Sequence, residues 1–449
     1  MKTTIVFGAG SDAGTFPMTN HLAAAVYRFM QDTDTGRRAD SMLRKALSFR
    51  TFSYASLLDD AARKFMRRRD PSVTGRLISR MDALIPSLTD EKDAAKATFI
   101  RTLTEDAASL PGKTMEKTDL SSRKDLVNLL ENAGLGKMVT VCPETSLHDF
   151  YTQSLRALLR SYLDEPENRV LHTMSKTLVS LDSMLLDLFL GFYDGSRADR
   201  RRYTYLMWTM WTFFVQKEME LCAENRDCIY RHIPDWPAVT LNYTTLADLF
   251  MGRDNVIHFH GSVTKAIDCS TRDEIEIESF RNICSAGKCT GKTAADILEG
   301  DIIPMISPRE DRYLIPSMMP PFRIKPVIAS DLIGTWHSAM EKLDTADRII
   351  VVGYSFNHSD AHFNDAILRW SGRDDKKIIV INPDLRSMKE FFDGSVRNPS
   401  FKNGNWLKTS VKGCSIECER KGNITIIPGT SADICGKTGR LLELEKLDD

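Results

Sequence analysis

The sequence predicts an α/β protein: a Rossmann-like parallel sheet that carries a large, mainly helical insertion. Three observations predict it. Residues 3–7 form an apolar run that leads straight into a glycine-rich turn. Short runs rich in Val and Ile recur at 239–241, 256–259, 349–352, 378–381 and 424–427, with helical stretches between several of them. Residues 36–235 follow helical periodicity instead.

The opening run, Thr3 to Phe7, reads as a buried strand because it is continuously apolar or β-branched. A helix is expected from about Thr19 through Met30. One strand makes no sheet, so this one is expected to join the later strands. That places one domain at 1–35 and 236–449 and the helical insertion at 36–235. In the insertion, Leu155, Leu158, Leu159 and Tyr162 repeat at helical spacing. The later Val/Ile runs fit strands buried on both faces, and the helices between them suggest βαβ units. Residues 268–312 are polar, contain cysteines and show no period, so a loop-rich excursion is expected there.

A chain of 449 residues is long enough to bury a large core in two or three domains. Its formal net charge of −1 argues against a broad nucleic-acid footprint, and no sequence-specific nucleic-acid contact is expected. The basic clusters Arg63, Lys64, Arg67, Arg68, Arg69 and Arg200, Arg201, Arg202 read as solvated helix faces. Asp182 and Asp187 interrupt the most apolar stretch, so no membrane span is expected. Lys2 runs directly into a strand rather than an export segment, which suggests a cytoplasmic, reducing compartment. The nine cysteines are irregularly spaced and are expected to be free thiols.

Polar turns follow each strand. Gly8, Ala9, Gly10, Ser11 and Asp12 follow the first. Glycines let a backbone turn approach a phosphate, and a following helix offers free amides. The spacing is not that of the usual dinucleotide fingerprint, because Ala13 and Gly14 hold the sixth and seventh places. A structural tight turn accounts for it as well as a nucleotide site does. Asn242 lies just past the 239–241 run, where ligands bind in open α/β sheets. His258 and His260 share one face of the next strand, and His260 beside Gly261 and Ser262 is the better placed to act as a base. Gly353 and Ser355 follow a fourth strand, Asn382 a fifth, and Ala432 with Asp433 the last. Parallel strands would bring all of these turns to one edge of the sheet.

Together, in this order, the turns resemble the sirtuin superfamily, especially the sirtuin-like NAD-hydrolysing proteins of bacterial anti-phage defence. The family's Gly-Ala-Gly-x-Ser turn is similar to residues 8–14, with Pro17 also in place. Its Thr-x-Asn-x-Asp element resembles 240–244, and its His-Gly-Ser matches His260, Gly261 and Ser262. Its Gly-x-Ser matches Gly353 to Ser355, and Asn382 and Asp433 match its late positions. The resemblance covers the beginning and the last half of the chain. It implies a sheet of sirtuin type and NAD+ as substrate; no metal is expected, because the cysteine spacing is not that of a zinc site. Asn242 would hold the nicotinamide ribose and a water, and His260 would be the general base. Gly8, Gly10 and Ser355 would approach the phosphates and ribose, with Ala9, Ser11, Asp12, Gly261, Ser262 and Gly353 around them. Asn382 and Asp433 would border the adenosine end. One position departs: Thr244 stands where the family has Asp, so either Asp12 or another group compensates or turnover is weak.

The implied reaction is hydrolysis of the nicotinamide–ribose bond, serving defence by NAD depletion. Homo-oligomers and a partner P-loop ATPase of HerA type are further implications. A sirtuin-type deacylase or ADP-ribosyltransferase is the first alternative, and a non-catalytic NAD or ADP-ribose sensor the second. Three motifs are set aside. Cys269, Cys284 and Cys289, with Cys414 and Cys418 elsewhere, do not repeat the sirtuin zinc spacing. Residues 287–293 fall one residue short of a Walker A loop and follow no strand. His358 and His362 lack the intervening Glu of a helical metal pair.

Overall fold

The computed structural model describes residues 1–12, 16–17, 22–178, 181–224, 228–233, 235–280, 291–320, 329–357, 360–396, 399–410 and 417–430. The chain forms two compact units. The first comprises Met1–Thr19, Asp34–Ser48 and Ser196–Asp449, and the second Asn20–Thr33 and Phe49–Gly195.

The first unit is built on strands β1 (Thr3–Phe7), β2 (Ala238–Thr240), β3 (Val256–His258), β7 (Arg348–Val352), β8 (Lys377–Ile381) and β11 (Ile424–Ile427). They run parallel in the order β3-β2-β1-β7-β8-β11, and β10 (Glu417–Lys421) and β9 (Leu407–Ser410) extend the last edge antiparallel. The opening strand is therefore central: Ile5 lies opposite Ala238 on one side and Ile350 on the other. Among the parallel strands, chain order steps outward from β1 in both directions, the pattern of a doubly wound sheet.

Side-chain alternation explains why every residue of β1 and β7 is buried. Val6, Val239, Ile349, Val351, Ile378 and Val380 face one core with Leu343, Phe363, Trp370 and Phe392. Those four come from the helices Asp331–Thr345, Ala361–Ser371 and Leu385–Ser395. Ile5, Phe7, Ala238, Ile350, Val352, Ile379 and Ile381 face the other core with Tyr230, Leu246 and Met251. Each fully buried aliphatic side chain contributes roughly 1.5–3 kcal/mol. Continuous apolar runs are what a sheet covered on both faces requires.

A second, three-stranded antiparallel sheet, β5-β4-β6, joins β4 (Gly261–Asp268), β5 (Glu274–Glu276) and β6 (Leu314–Met318). The expected loop-rich excursion at 268–312 is corrected here, because β5 lies within it and β4 and β6 flank it. The register of β4 shifts between Gly261 and Ala266, and its middle residues Thr264 and Lys265 are only half-buried. No clean alternation survives in the sequence for that reason. The long helix Arg197–Glu224 lies against this sheet. The indole N–H of Trp208 donates to the Leu314 carbonyl and that of Trp211 to the Val263 carbonyl, both at 2.7 Å.

Residues 36–48 and 196–235, read from the sequence as helical middle, lie in the first unit, and 20–33, read as part of the sheet domain, lie in the second. Packing is the reason: Ala39 and Leu43 of the helix Asp34–Ala46 are fully buried, and that helix packs on Arg197–Glu224. The helix expected from about 19 spans Leu22–Asp32.

The second unit is helical. Leu147–Asp164 buries Leu155, Leu158, Leu159 and Tyr162, as their spacing requires. Asp70, Asp90 and Ser146 cap three helices by accepting from the backbone N–H of Ser72, Asp93 and Asp149. Among the described residues, no helix is long and apolar enough to cross a membrane.

Candidate functional site

In a doubly wound sheet, ligands bind at the carboxyl edge where the strand order reverses, here between β1 and β7. The turns that leave these two strands are joined backbone to backbone. Gly8 N–H donates to the Val352 carbonyl at 2.9 Å and Gly10 N–H to the Gly353 carbonyl at 2.7 Å. A Cβ on Gly10 would lie 2.8 Å from the Gly353 Cα, and one on Gly353 only 2.2 Å from the Ser11 nitrogen. Gly353 also has φ +64°. These glycines exist because two strand ends touch, and the contact leaves Ala9–Asp12 as a short 3-10 turn above β1.

Beneath that turn lies a buried polar network. Asn242, just past β2, directs its amide nitrogen to Gly8 O at 3.1 Å, Ser11 Oγ at 3.0 Å and Asp12 Oδ2 at 3.1 Å. Ser11 Oγ donates to Gly8 O at 2.7 Å and lies 2.9 Å from the Tyr230 hydroxyl. Tyr230 comes from the turn Ile229–His232, and its hydroxyl donates to Asp12 Oδ1. Thr244 donates to Asp12 Oδ2 at 3.0 Å. Burial lifts the Asp12 carboxyl to about 6, although the donors Tyr230 and Thr244 pull it down. One carboxylate thus collects Tyr230, Asn242 and Thr244 around the first glycine turn.

His260 sits at the next strand end, 5% exposed. The backbone is pinned at His260 and at its neighbour: Met319 N–H donates to the His260 carbonyl and Phe259 N–H to the Thr240 carbonyl, each at 2.8 Å. Nδ1 is 3.2 Å from the carbonyl of Leu241, the neighbour of Asn242. A carbonyl only accepts, so Nδ1 carries a proton and Nε2 is the nitrogen free to exchange one. Nε2 lies 3.3 Å from Asp360 Oδ1. His258 is differently placed: its Nε2 is 2.7 Å from Asp248 Oδ2 and its Nδ1 3.3 Å from the Asn242 carbonyl. Burial presses the His258 imidazole down, but the charge and hydrogen bond of Asp248 outweigh it and hold it above its ordinary value.

The remaining expected residues are placed as follows. Ser355 is exposed on the loop after β7. Asn382 is 7% exposed and straps that loop, its amide donating to the Tyr354 carbonyl at 2.9 Å while Asp384 N–H donates to its oxygen at 2.8 Å. Asn364 adds a second strap, accepting from the Tyr354 hydroxyl at 2.6 Å and donating to the Asn357 carbonyl at 2.8 Å. Between them, Phe356 holds φ +50°. Gly261 has φ +77°, and a Cβ there would meet the Ser317 carbonyl at 2.0 Å. Ser262 is buried at the start of β4, where Thr264 N–H donates to its Oγ at 3.3 Å. Asp433 lies outside the described residues.

Three groups that sequence reasoning passed over belong to this region. Asp360 precedes the helix Ala361–Ser371 and reads as an ordinary N-cap, yet its carboxylate makes no capping bond and faces His260. Tyr230 sits on a short turn that carries no signal. Glu218 is fully buried on the helix Arg197–Glu224 and accepts from both N–H and hydroxyl of Thr245, the residue after Thr244. Burial raises its carboxyl to about 8, so it is protonated at neutral pH.

Among the described residues, no group of three or more His, Cys, Asp or Glu side chains is placed to hold a metal ion, and Cys142, Cys222, Cys228, Cys269 and Cys418 are free thiols. No family model matches the sequence, and no curated protein matches it. A solved structure described as "Structural Basis for the Mechanism and Regulation of Sir2 Enzymes" is similar over 46% of this chain and 73% of its own, at 16% identity and a TM-score of 0.25.

Proposed function

We propose that this edge of the sheet, of sirtuin type, binds NAD+ and hydrolyses its nicotinamide–ribose bond. The observation that carries the reading is a convergence. Asn242, some 230 residues beyond the first glycine turn, places its amide on Gly8 and Ser11 of that turn, and His260 is anchored on the adjoining Leu241 carbonyl. The turns of β1 and β7 would take the phosphates, with Gly8, Ala9, Gly10, Gly353 and Ser355 nearest, Gly261 and Ser262 flanking His260, and Asn382 with Asp433 at the adenosine end. Asn242 and Ser11 would orient the ribose.

Cleavage breaks the bond between nicotinamide nitrogen and ribose C1′. Nicotinamide leaves neutral and takes the bonding pair, so its departure needs no acid. Positive charge gathers on the ribose, and the Asp12 carboxylate, ionised above about pH 6, is the anion built into the network to balance it. A water supplies the new C1′–O bond, and His260 Nε2 takes the proton that water gives up. The products are nicotinamide, ADP-ribose and one proton. Asp360 sits beside that nitrogen and stabilises the imidazolium once formed.

In a cell, such turnover would deplete NAD and so serve anti-phage defence. It demands restraint, which a homo-oligomer and a partner ATPase of HerA type would supply. A non-catalytic NAD or ADP-ribose sensor is favoured by one observation: the Asn242 amide already spends its donors on the protein. Etheno-NAD fluorescence with the purified chain separates the readings. Nicotinamide release without an acylated peptide supports hydrolysis, release only with peptide supports a deacylase or ADP-ribosyltransferase, and ligand-dependent melting without turnover supports the sensor.

A further inference from the structure

Some cations of the helical unit are compensated and others are not. Arg63, Lys64, Lys96, Arg101, Arg123 and Arg160 each lie against at least one carboxylate. Arg80, Arg169 and Lys176 have no carboxylate partner among the described residues; Arg80 Nη1 is 2.8 Å from the Thr177 hydroxyl. All three line one cleft of about 390 Å³, together with the imidazole of His172 and the hydroxyls of Thr173 and Ser87, and no acidic side chain lines it.

Helix geometry produces the cluster. Arg169, His172, Thr173 and Lys176 fall at helical spacing on one face of Arg169–Leu178, while Val170, Leu171 and Met174 bury the other. Arg80 and Ser87 repeat that spacing along Pro71–Leu84 and its 3-10 extension Ile85–Ser87, whose buried side holds Leu77 and Met81. The two helices pack on each other and turn their basic faces into the same concavity. Like charges gathered in this way repel, and a bound anion removes the repulsion. Guanidinium forks, an ammonium and hydroxyls are the donors that phosphate oxygens take. The volume falls within the range of about 300–1,000 Å³ typical of small-molecule sites. A nucleic-acid track would need an extended basic stripe, whereas three cations line this cleft on a chain of net charge −1.

We propose that this cleft is a second ligand site, for a small polyphosphate anion of the nucleoside di- or triphosphate class. It stands independently of the reading given to the sheet edge. Calorimetric titration of the full chain with inorganic tripolyphosphate, and then with ATP, at physiological salt tests it. Saturable one-to-one binding is expected, with orthophosphate weaker. Arg169→Gln with Lys176→Gln is expected to weaken binding at least about tenfold, the loss of one or two charge-assisted hydrogen bonds. Arg80→Gln, on the other helix, gives an independent loss. Lys113→Gln with Lys117→Gln, removing equal charge from exposed positions elsewhere on the unit, should leave affinity within about twofold. Absence of saturable binding up to about 1 mM overturns the proposal. So does equal weakening by both double variants, unchanged binding in the cleft variants, or affinity that grows with the length of an oligonucleotide instead of the phosphate count.

Discussion

Thr244 donates its hydroxyl proton to Asp12 Oδ2 across 3.0 Å, so a residue just past the second strand has a buried acid as its hydrogen-bond partner. The carboxylate arrives from the first glycine turn instead of the second strand. Two acids at these positions would then compete for one buried site. Thr244→Asp alone is expected to destabilise the chain by about 1–3 kcal/mol through like-charge repulsion, and Asp12→Asn in the same chain to relieve most of that cost. Urea midpoints of the two single variants and the double variant check it, and strictly additive effects would contradict a shared site.

Removing His260 or Asn242 separates chemistry from folding. His260→Ala is expected to abolish nicotinamide release while leaving the melting temperature close to that of the parent. Asn242→Ala should abolish release too, and cost about 1–3 kcal/mol as well, because Gly8 O, Ser11 and Asp12 lose their shared donor. Near-normal NAD cleavage by either variant would place the reacting atoms elsewhere.

Asp360 is expected to act through His260. Asp360→Asn removes a charge from beside Nε2, and kcat for NAD cleavage should fall about 10- to 100-fold with KM little changed, the kinetic equivalent of one charge-assisted hydrogen bond. Asp360→Glu should recover part of the loss. A fall confined to KM would instead make Asp360 a substrate contact.

Glu218 ties stability to pH. The folded chain holds the Glu218 proton far more tightly than the ordinary value of 4.5 allows, up to about 8, so stability is lost as pH rises through that interval. Glu218→Gln keeps an oxygen for the N–H and hydroxyl of Thr245 and has no proton to lose. Its denaturation midpoint should therefore fall less than the parent's between about pH 5 and about pH 8. Parallel declines would assign the pH dependence to another group.

Two glycines should respond oppositely to alanine. Gly353→Ala drives a Cβ into the Ser11 backbone at φ +64° and is expected to cost more than about 3 kcal/mol, enough to deplete the soluble protein. Gly334, exposed within the helix Asp331–Thr345, has nothing within 4 Å of an added Cβ, and Gly334→Ala should gain about 0.5–1 kcal/mol. Thermal scans of both variants decide it.

The sheet was legible because burial on both faces writes Ile and Val into consecutive positions, as in Ile349 to Val352. Asn242 and His260 stood out as candidates because each lies just past the carboxyl end of a strand. β4 was not, since its register shift and the half-buried Lys265 erase the alternation on which a strand is recognised. Asp360 and Glu218 were hidden for another reason: an acid at a helix start or on a long helix is ordinarily solvated, and only tertiary packing turns these two inward. The division of the helical middle was equally invisible, because the buried stripe of Asp34–Ala46 does not say which partner covers it.

The central position of Thr3–Phe7 bears on how the chain is made. At synthesis rates of about 5–20 residues per second, this segment waits on the order of ten seconds or more before Ala238–Thr240 emerges, and longer for Arg348–Val352. Through that interval a sticky apolar ribbon has neither of its native neighbours. Nascent chains stalled ahead of Arg348 therefore expose the middle of the future sheet, and they are where a holding chaperone would have most to shield.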